Sequence, residues 1–364
     1  MQTYAITDSR AELILELTQL ALAAPSIPDA VSPMLNRLVE QTAAEDSAYF
    51  QASGVAFYAR AASGVMPDGP IMESILTHGL PGEPPLMVSL RAADGPLFFD
   101  DTQVAPETAG FPDLGVMGIA AAPVRSVSGE LLGAFPMHTF DRHAWTDREA
   151  ELFATMSGIV ASLTARLVAE ERAVGAQEDA IRALGLALEY RDGEVKGHTD
   201  RVTMLALDIA REMQLEAADV NSLRWGAYLH DIGKIAIPDA ILRKPAKLDD
   251  VEWETMRTHS AVGHTFAAQL SFVPTGTLEV IRYHHERWDG RGYPEGRFGN
   301  DIPIGARIFA VCDVYDALVS ERPYKRAWSH DEAIQEITSQ AAGQFDPEVV
   351  SAFLRAINSV THAA

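Results

Sequence analysis

At 364 residues, against about 150 residues per domain, the chain has room for two domains and a connector, and its 47% hydrophobic and 22% charged composition excludes wholesale disorder. The formal net charge is −22, and it is uneven: residues 1–180 hold nine arginines, no lysine and 24 acidic residues, net −15, against net −7 for the remainder. So acidic a front half excludes a broad nucleic-acid or anionic-membrane surface, which needs clustered cations, and leaves phosphate recognition to the back half.

In chain order, Leu13–Ala24 has no basic flank and is interrupted by Glu16, so it reads neither as a signal peptide nor as a membrane span. The apolar run Gly115–Pro123 falls far short of the roughly 20 residues a span requires. Two helices are expected within Glu12–Thr42, divided at Pro25 and Pro28. From Ser47 to His138 short β-favouring runs follow: Ala48–Phe50, Gly54–Tyr58, Leu86–Leu90, Leu97–Phe99, Ile119–Val124 and Leu131–Met137. Ser128-Gly129-Glu130 reads as the turn of a hairpin. This order, with Ala122-Pro123-Val124, Leu132-Gly133-Ala134 and Phe140 to Glu149, resembles the GAF sensor family over about residues 12–170. The resemblance implies an α+β sensor at residues 1–146 that responds to an unidentified small molecule or protein. The absence of cysteine from that half excludes a thioether-linked bilin.

A helix is expected from Asp147 for some forty residues, with Thr146 or Asp147 as its cap. Phe153, Met156, Val160, Leu163, Leu167, Glu170, Val174, Gln177, Ile181, Leu184 and Leu188 step by three and four, a heptad seam that a homodimer would bury. A helix packed within its own subunit has the same pattern, and Glu170, Gly175 and Gln177 weaken the centre of the seam. This connector is assigned to residues 147–190 and the second domain to 191–364.

The second domain carries the chemistry. Glu194 and His198 are four apart, which on a helix puts them on one face, able to share an ion; a solvated helix pair has the same spacing. His230-Asp231 follows the apolar stretch Trp225–Leu229, and Lys234 stands three residues on. His284-His285 and Asp313 lie in or beside apolar runs, where an unpaired carboxylate is costly. Cys312, the lone cysteine, can form neither an intramolecular disulfide nor a thiolate zinc site; it reads as a core residue and fits a reducing, cytoplasmic compartment.

His198, His230-Asp231 and Asp313, in this order, resemble the ligands of the HD superfamily of metal-dependent phosphohydrolases. The string His284-His285-Glu286-Arg287-Trp288-Asp289-Gly290-Arg291-Gly292-Tyr293-Pro294 resembles the signature of its HD-GYP branch, and the likeness covers about residues 180–357. The resemblance implies an all-α domain that cleaves cyclic di-GMP to pGpG, with further cleavage to GMP left open. It makes His198, His230, Asp231 and Asp313 ligands of a dinuclear site extended by His259, His284 and His285, with Glu194 the residue that admits a third ion. Such mixed imidazole and carboxylate ligation suits Fe or Mn, with Zn, Co and Ni left open. Adjacent ions can hold a bridging hydroxide as nucleophile, with Asp231 bridging and Lys234 serving catalysis and phosphate contact. Arg322 and Lys325 match substrate-contacting positions, and Gly292, Tyr293 and Pro294 form a loop that contacts substrate or docks a signalling partner. The alternatives are a phosphodiesterase for another cyclic dinucleotide and a catalytically weak adaptor that binds through this loop.

Overall fold

The computed structural model describes residues 19, 23–54, 56–80, 84–193, 196–321 and 326–363. The chain divides into two compact units, Met1–Val174 and Gly175–Ala364.

The first unit is α+β. Its antiparallel sheet has five strands, β1 (Asp46–Ser53), β2 (Ala56–Gly64), β3 (Leu97–Phe99), β4 (Gly118–Arg125) and β5 (Leu131–Thr139), in the order β2-β1-β5-β4-β3. Alternation along the strands gives the sheet two apolar faces. Tyr49, Ala120, Phe135 and Met137 pack against the helix Ile27–Gln41 and the beginning of the helix Asp147–Asp192. Ala48, Phe50, Ile119, Ala121 and Ala134 pack on the opposite face with Met72, Ile75, Leu86 and Leu90. The expected hairpin joins β4 to β5, with Gly129 at a left-handed φ of 86°.

Leu86–Leu90 is helical rather than a strand. It belongs to the helix Pro85–Ala92, whose buried Leu86, Met87 and Leu90 follow helical spacing after an N-terminal proline with preset φ. The first of the two helices expected in Glu12–Thr42 lies largely outside the described residues. The second is Ile27–Gln41, entered through the Ser26 cap.

The long helix runs Asp147–Asp192 and opens on a capping box: Thr146 Oγ1 accepts from Glu149 N, and the Glu149 carboxylate accepts from Thr146 N. Of its seam, Phe153, Met156, Val160, Leu163 and Leu167 are buried in the core of the first unit, and Ile181 and Leu188 are buried in the second. Val174 and Leu184 are exposed. By length and composition this helix also passes as a membrane span, yet half of its apolar window is buried within the fold, as in a core helix.

The described part of the second unit is helical, with its main core between the helices His198–Glu212, Ala217–Leu229, Ile304–Val319 and Pro347–Ala363. Val202, Ile209, Phe309 and Phe353 are fully buried there, and so is Cys312, whose thiol burial pushes well above its ordinary value. This packing bears out the core reading of the cysteine.

Candidate metal centre

Helix ends build the site. His198 opens the helix His198–Glu212, His230 directly follows Ala217–Leu229, His259 opens His259–Ala267, and His284 directly follows Thr275–Tyr283 with His285 next. Asp313 projects from within Ile304–Val319. Asp231 sits at φ −97°, ψ 7° as the chain enters the tight helical turn Ile232–Ala236. That turn meets the helix bearing His259 backbone to backbone: a Cβ on Gly233 would lie 1.8 Å from the His259 carbonyl oxygen and 2.5 Å from Gly263 N. Only glycine allows the approach that brings His259 to Asp231.

The ligand atoms fall into two groups. His198, His230 and Asp313 each bring one within 4.8 Å of the others, and so do His259, His284 and His285. Asp231 lies between them, with Oδ2 3.1 Å from His230 Nε2 and Oδ1 3.4 Å from His259 Nε2. His259 Nε2 and His284 Nε2 are 3.4 Å apart, and all five histidines except the half-buried His285 are buried.

The ring nitrogens turned away from this centre are anchored. His230, His259 and His284 place Nδ1 2.8, 2.8 and 2.9 Å from the carbonyls of Ala227, Met256 and Ile281, in each case three residues earlier in the last turn of a helix. Helix C-termini leave such carbonyls without intrahelical partners. His198, at a helix start, places Nδ1 2.8 Å from Asp316 Oδ2. Since a carbonyl can only accept, three of the rings carry hydrogen on Nδ1, which leaves Nε2 as the nitrogen turned inward, the orientation that metal-ligating imidazoles use.

The electrostatics of the pocket favour a cation. Burial opposes protonation of His230, yet the Asp231 carboxylate outweighs it and raises the imidazole to about 9. Burial, followed by the charge of neighbouring imidazoles, lowers His284 well below its ordinary value and His285 to about 3, which keeps both as lone-pair donors. Burial would raise Asp316, but hydrogen bonds from His198 and Arg201 prevail and hold it at about 2. Five imidazoles and two carboxylates with no thiolate among them match an intermediate to hard divalent ion. The described residues therefore fit a metal centre.

Lys234 Nζ is 2.6 Å from Asp231 Oδ2 and 2.9 Å from Asp192 Oδ2, within the tight turn where residues three apart align. The ring of Tyr293 stacks on His285 at 4.7 Å and lies beneath the guanidinium of Arg257 at 5.6 Å, so this aromatic side chain backs the ligands. Gly292 is tightly packed, since a Cβ would lie 2.4 Å from Arg287 N, while Pro294 is exposed. Glu286 Oε1 accepts from Glu295 N and Gly296 N and ties the loop together.

Glu194, Arg322 and Lys325 lie outside the described residues. Among the described residues, the long helix ends at Asp192, and Gly193 and Gly197 take left-handed φ values of 76° and 83° before the helix that His198 opens. Sequence reasoning did not assign Asp316, Asp192 or Arg257 a role. The available signal for Asp316 was its position three residues after Asp313 on an apolar helix.

The HD domain family model matches residues 183–349, which include every described ligand. Over these residues the chain is similar to the HD domain family. A cyclic di-GMP phosphodiesterase response regulator of Xanthomonas campestris pv. campestris is 43% identical over 197 residues, 53% of this chain and 52% of its own length. A 3′3′-cGAMP-specific phosphodiesterase of Vibrio cholerae serotype O1 is 37% identical over 172 residues, 47% of this chain and 33% of its own length. Among solved structures, the GAF domain of a phosphoenolpyruvate-protein phosphotransferase from Coxiella burnetii is 22% identical, covering 46% of this chain and 96% of that one at a TM-score of 0.38. The chain spans about half the length, or less, of the curated relatives it matches.

Proposed function

We propose that the HD domain hydrolyses cyclic di-GMP to linear pGpG, and pGpG onward to GMP, in the cytoplasm and under the control of the N-terminal unit. The observation that carries this reading is the convergence of His198, His230, His259, His284, His285, Asp231 and Asp313 on one centre, with Asp231 between the two groups. Divalent ions held there, Fe or Mn by ligand type, supply a Lewis acid for the phosphoryl oxygens and a water acidified toward neutral pH. Two ions match the two ligand groups, and a third belongs to the reading if Glu194 ligates; the metal-to-protein ratio from elemental analysis decides between them.

The remaining roles fall to the chain itself. Asp231 fixes the spacing of the two groups by offering one oxygen to each. Asp192 holds Lys234 beside Asp231, where its ammonium counters charge on the scissile phosphoryl group as a P–O bond to water forms and the bond to the departing 3′ oxygen breaks. Arg322 and Lys325 complete phosphate binding in this reading, and the Gly292-Tyr293-Pro294 loop walls the pocket. Pairing of two chains through the long helix belongs to the same proposal.

A second reading is hydrolysis of 3′3′-cGAMP, supported by the 37% identity to the Vibrio cholerae enzyme named for that substrate. Chromatography of the products of both dinucleotides after incubation with the metal-loaded full chain tests the two readings together. Faster release of pGpG from cyclic di-GMP supports the first, whereas preference for 3′3′-cGAMP supports the second. Failure to turn over either one leaves the adaptor reading.

A further inference from the structure

The second face of the N-terminal sheet encloses a cavity of about 70 Å³ between the strands and the helices Pro70–His78 and Pro85–Ala92. Its lining is apolar except for two residues, Asp46 and His138. Asp46 opens β1, His138 lies near the end of β5, and antiparallel pairing sets the two opposite each other. An apolar surface groove of about 690 Å³ adjoins the cavity and shares Ile75, Leu80, Leu86, Met87, Phe111 and Leu114 with it. Met66, Met72 and Met87 in the lining are side chains that repack readily around a guest.

The polar pair is only 2% and 7% exposed, and among the described residues Asp46 Oδ2 and His138 Nε2 have no hydrogen-bond partner. Asp46 Oδ1 and His138 Nδ1 stand 3.6 Å apart, too far for a hydrogen bond but close enough for the carboxylate to favour the tautomer with hydrogen on Nδ1. In that tautomer Nε2, like Oδ2, is an acceptor. Two buried acceptors among apolar walls call for a guest that donates two or more hydrogens. A hydroxyl donates one; a primary ammonium donates three and brings the charge that a desolvated carboxylate lacks. Consistently, burial raises Asp46 to about 7 and lowers His138 to about 4, so the fold itself stabilises neither charge.

We propose that this cavity binds a small primary amine with a compact apolar body, its ammonium donating to Asp46 Oδ2 and His138 Nε2. Any regulatory meaning rests on the phosphodiesterase reading, whereas occupancy of the cavity does not. The test is isothermal titration of the full chain with benzylamine and isoamylamine, beside benzyl alcohol and the near-isostere ethylbenzene. One amine of the pair should saturate at one per chain and bind more tightly than the alcohol and the hydrocarbon. Asp46→Asn should weaken it about tenfold or more, as loss of a charge-assisted hydrogen bond requires, and leave ethylbenzene unchanged. Unaltered circular dichroism and metal content would show the variant folded, and His138→Phe provides a second, independent loss. Saturation by neither amine, ethylbenzene binding as tightly as both, or full affinity in a folded Asp46→Asn chain overturns the proposal. Because the readout is heat of binding, absence of dinucleotide turnover counts against the phosphodiesterase reading alone.

Discussion

Asp316 illustrates what the sequence carries at the scale of single residues and what it does not. The candidate ligands were legible because imidazole and carboxylate at set intervals form a pattern of residue types. Their anchors were not, because Ala227, Met256 and Ile281 act through carbonyls that every residue possesses. Asp316 is the exception, a side chain that fixes the ring of His198 and is itself gripped by Arg201 at 2.6 and 2.9 Å. Asp316→Asn should leave the fold intact and weaken metal binding about 10- to 100-fold, the usual cost of removing such an anchor. Metal titration of the stripped protein checks this, and wild-type affinity would make Asp316 a purely structural residue.

Among the secondary-structure elements, the long helix was readable from its period and its Thr146 cap, while Leu86–Leu90 was misread because a short apolar run fits a strand or a buried helix equally well. The end of the long helix at Asp192 was hidden because only backbone conformation shows Gly193 at a left-handed φ and Gly197 as the cap of the helix that His198 opens. Gly233→Ala should force the tight turn away from the helix His259–Ala267, given the 1.8 Å clash its Cβ would make. Lower metal stoichiometry together with a lower melting temperature is expected, and an unchanged ratio would mean that His259 does not depend on this contact. At the start of the long helix, burial would raise Glu149, but hydrogen bonds from Thr146 N, Ala43 N, His143 and Thr146 Oγ1 hold it at about 2, against an ordinary value of 4.5. A carboxyl depressed on folding contributes stability above its unfolded value and loses it as pH falls toward the folded one. Glu149→Gln should therefore destabilise the N-terminal unit by about 1 kcal/mol at neutral pH, and the gap should close between pH 4.5 and about 2. Urea melts across that range measure it, and a gap independent of pH would exclude the carboxylate as its source.

At the scale of the whole molecule, the heptad pattern had two readings, and burial places much of it against the chain's own cores. Phe153 to Leu167 serve the core of the first unit, so a pairing surface on this helix is confined to the region of Glu170, Val174, Gln177 and Leu184. Glu170→Leu with Gln177→Leu should strengthen self-association in sedimentation and blunt any response of turnover to a ligand of the first unit. Monomers for both wild type and variant would assign the whole helix to its own chain. The two units differ in how far a sequence speaks for them: the second is dense in histidines and aspartates that converge on one centre, whereas the sheet of the first is specified by apolar alternation that names no ligand. The central claim is that the converging histidines and aspartates make this chain a phosphodiesterase. The most direct test is the rate of pGpG release from cyclic di-GMP by the Mn- or Fe-loaded full chain, compared with Asp231→Ala. Turnover by the wild type that is abolished in a folded Asp231→Ala protein is the predicted result; no release by a fully loaded wild type, or equal release by both proteins, would contradict it.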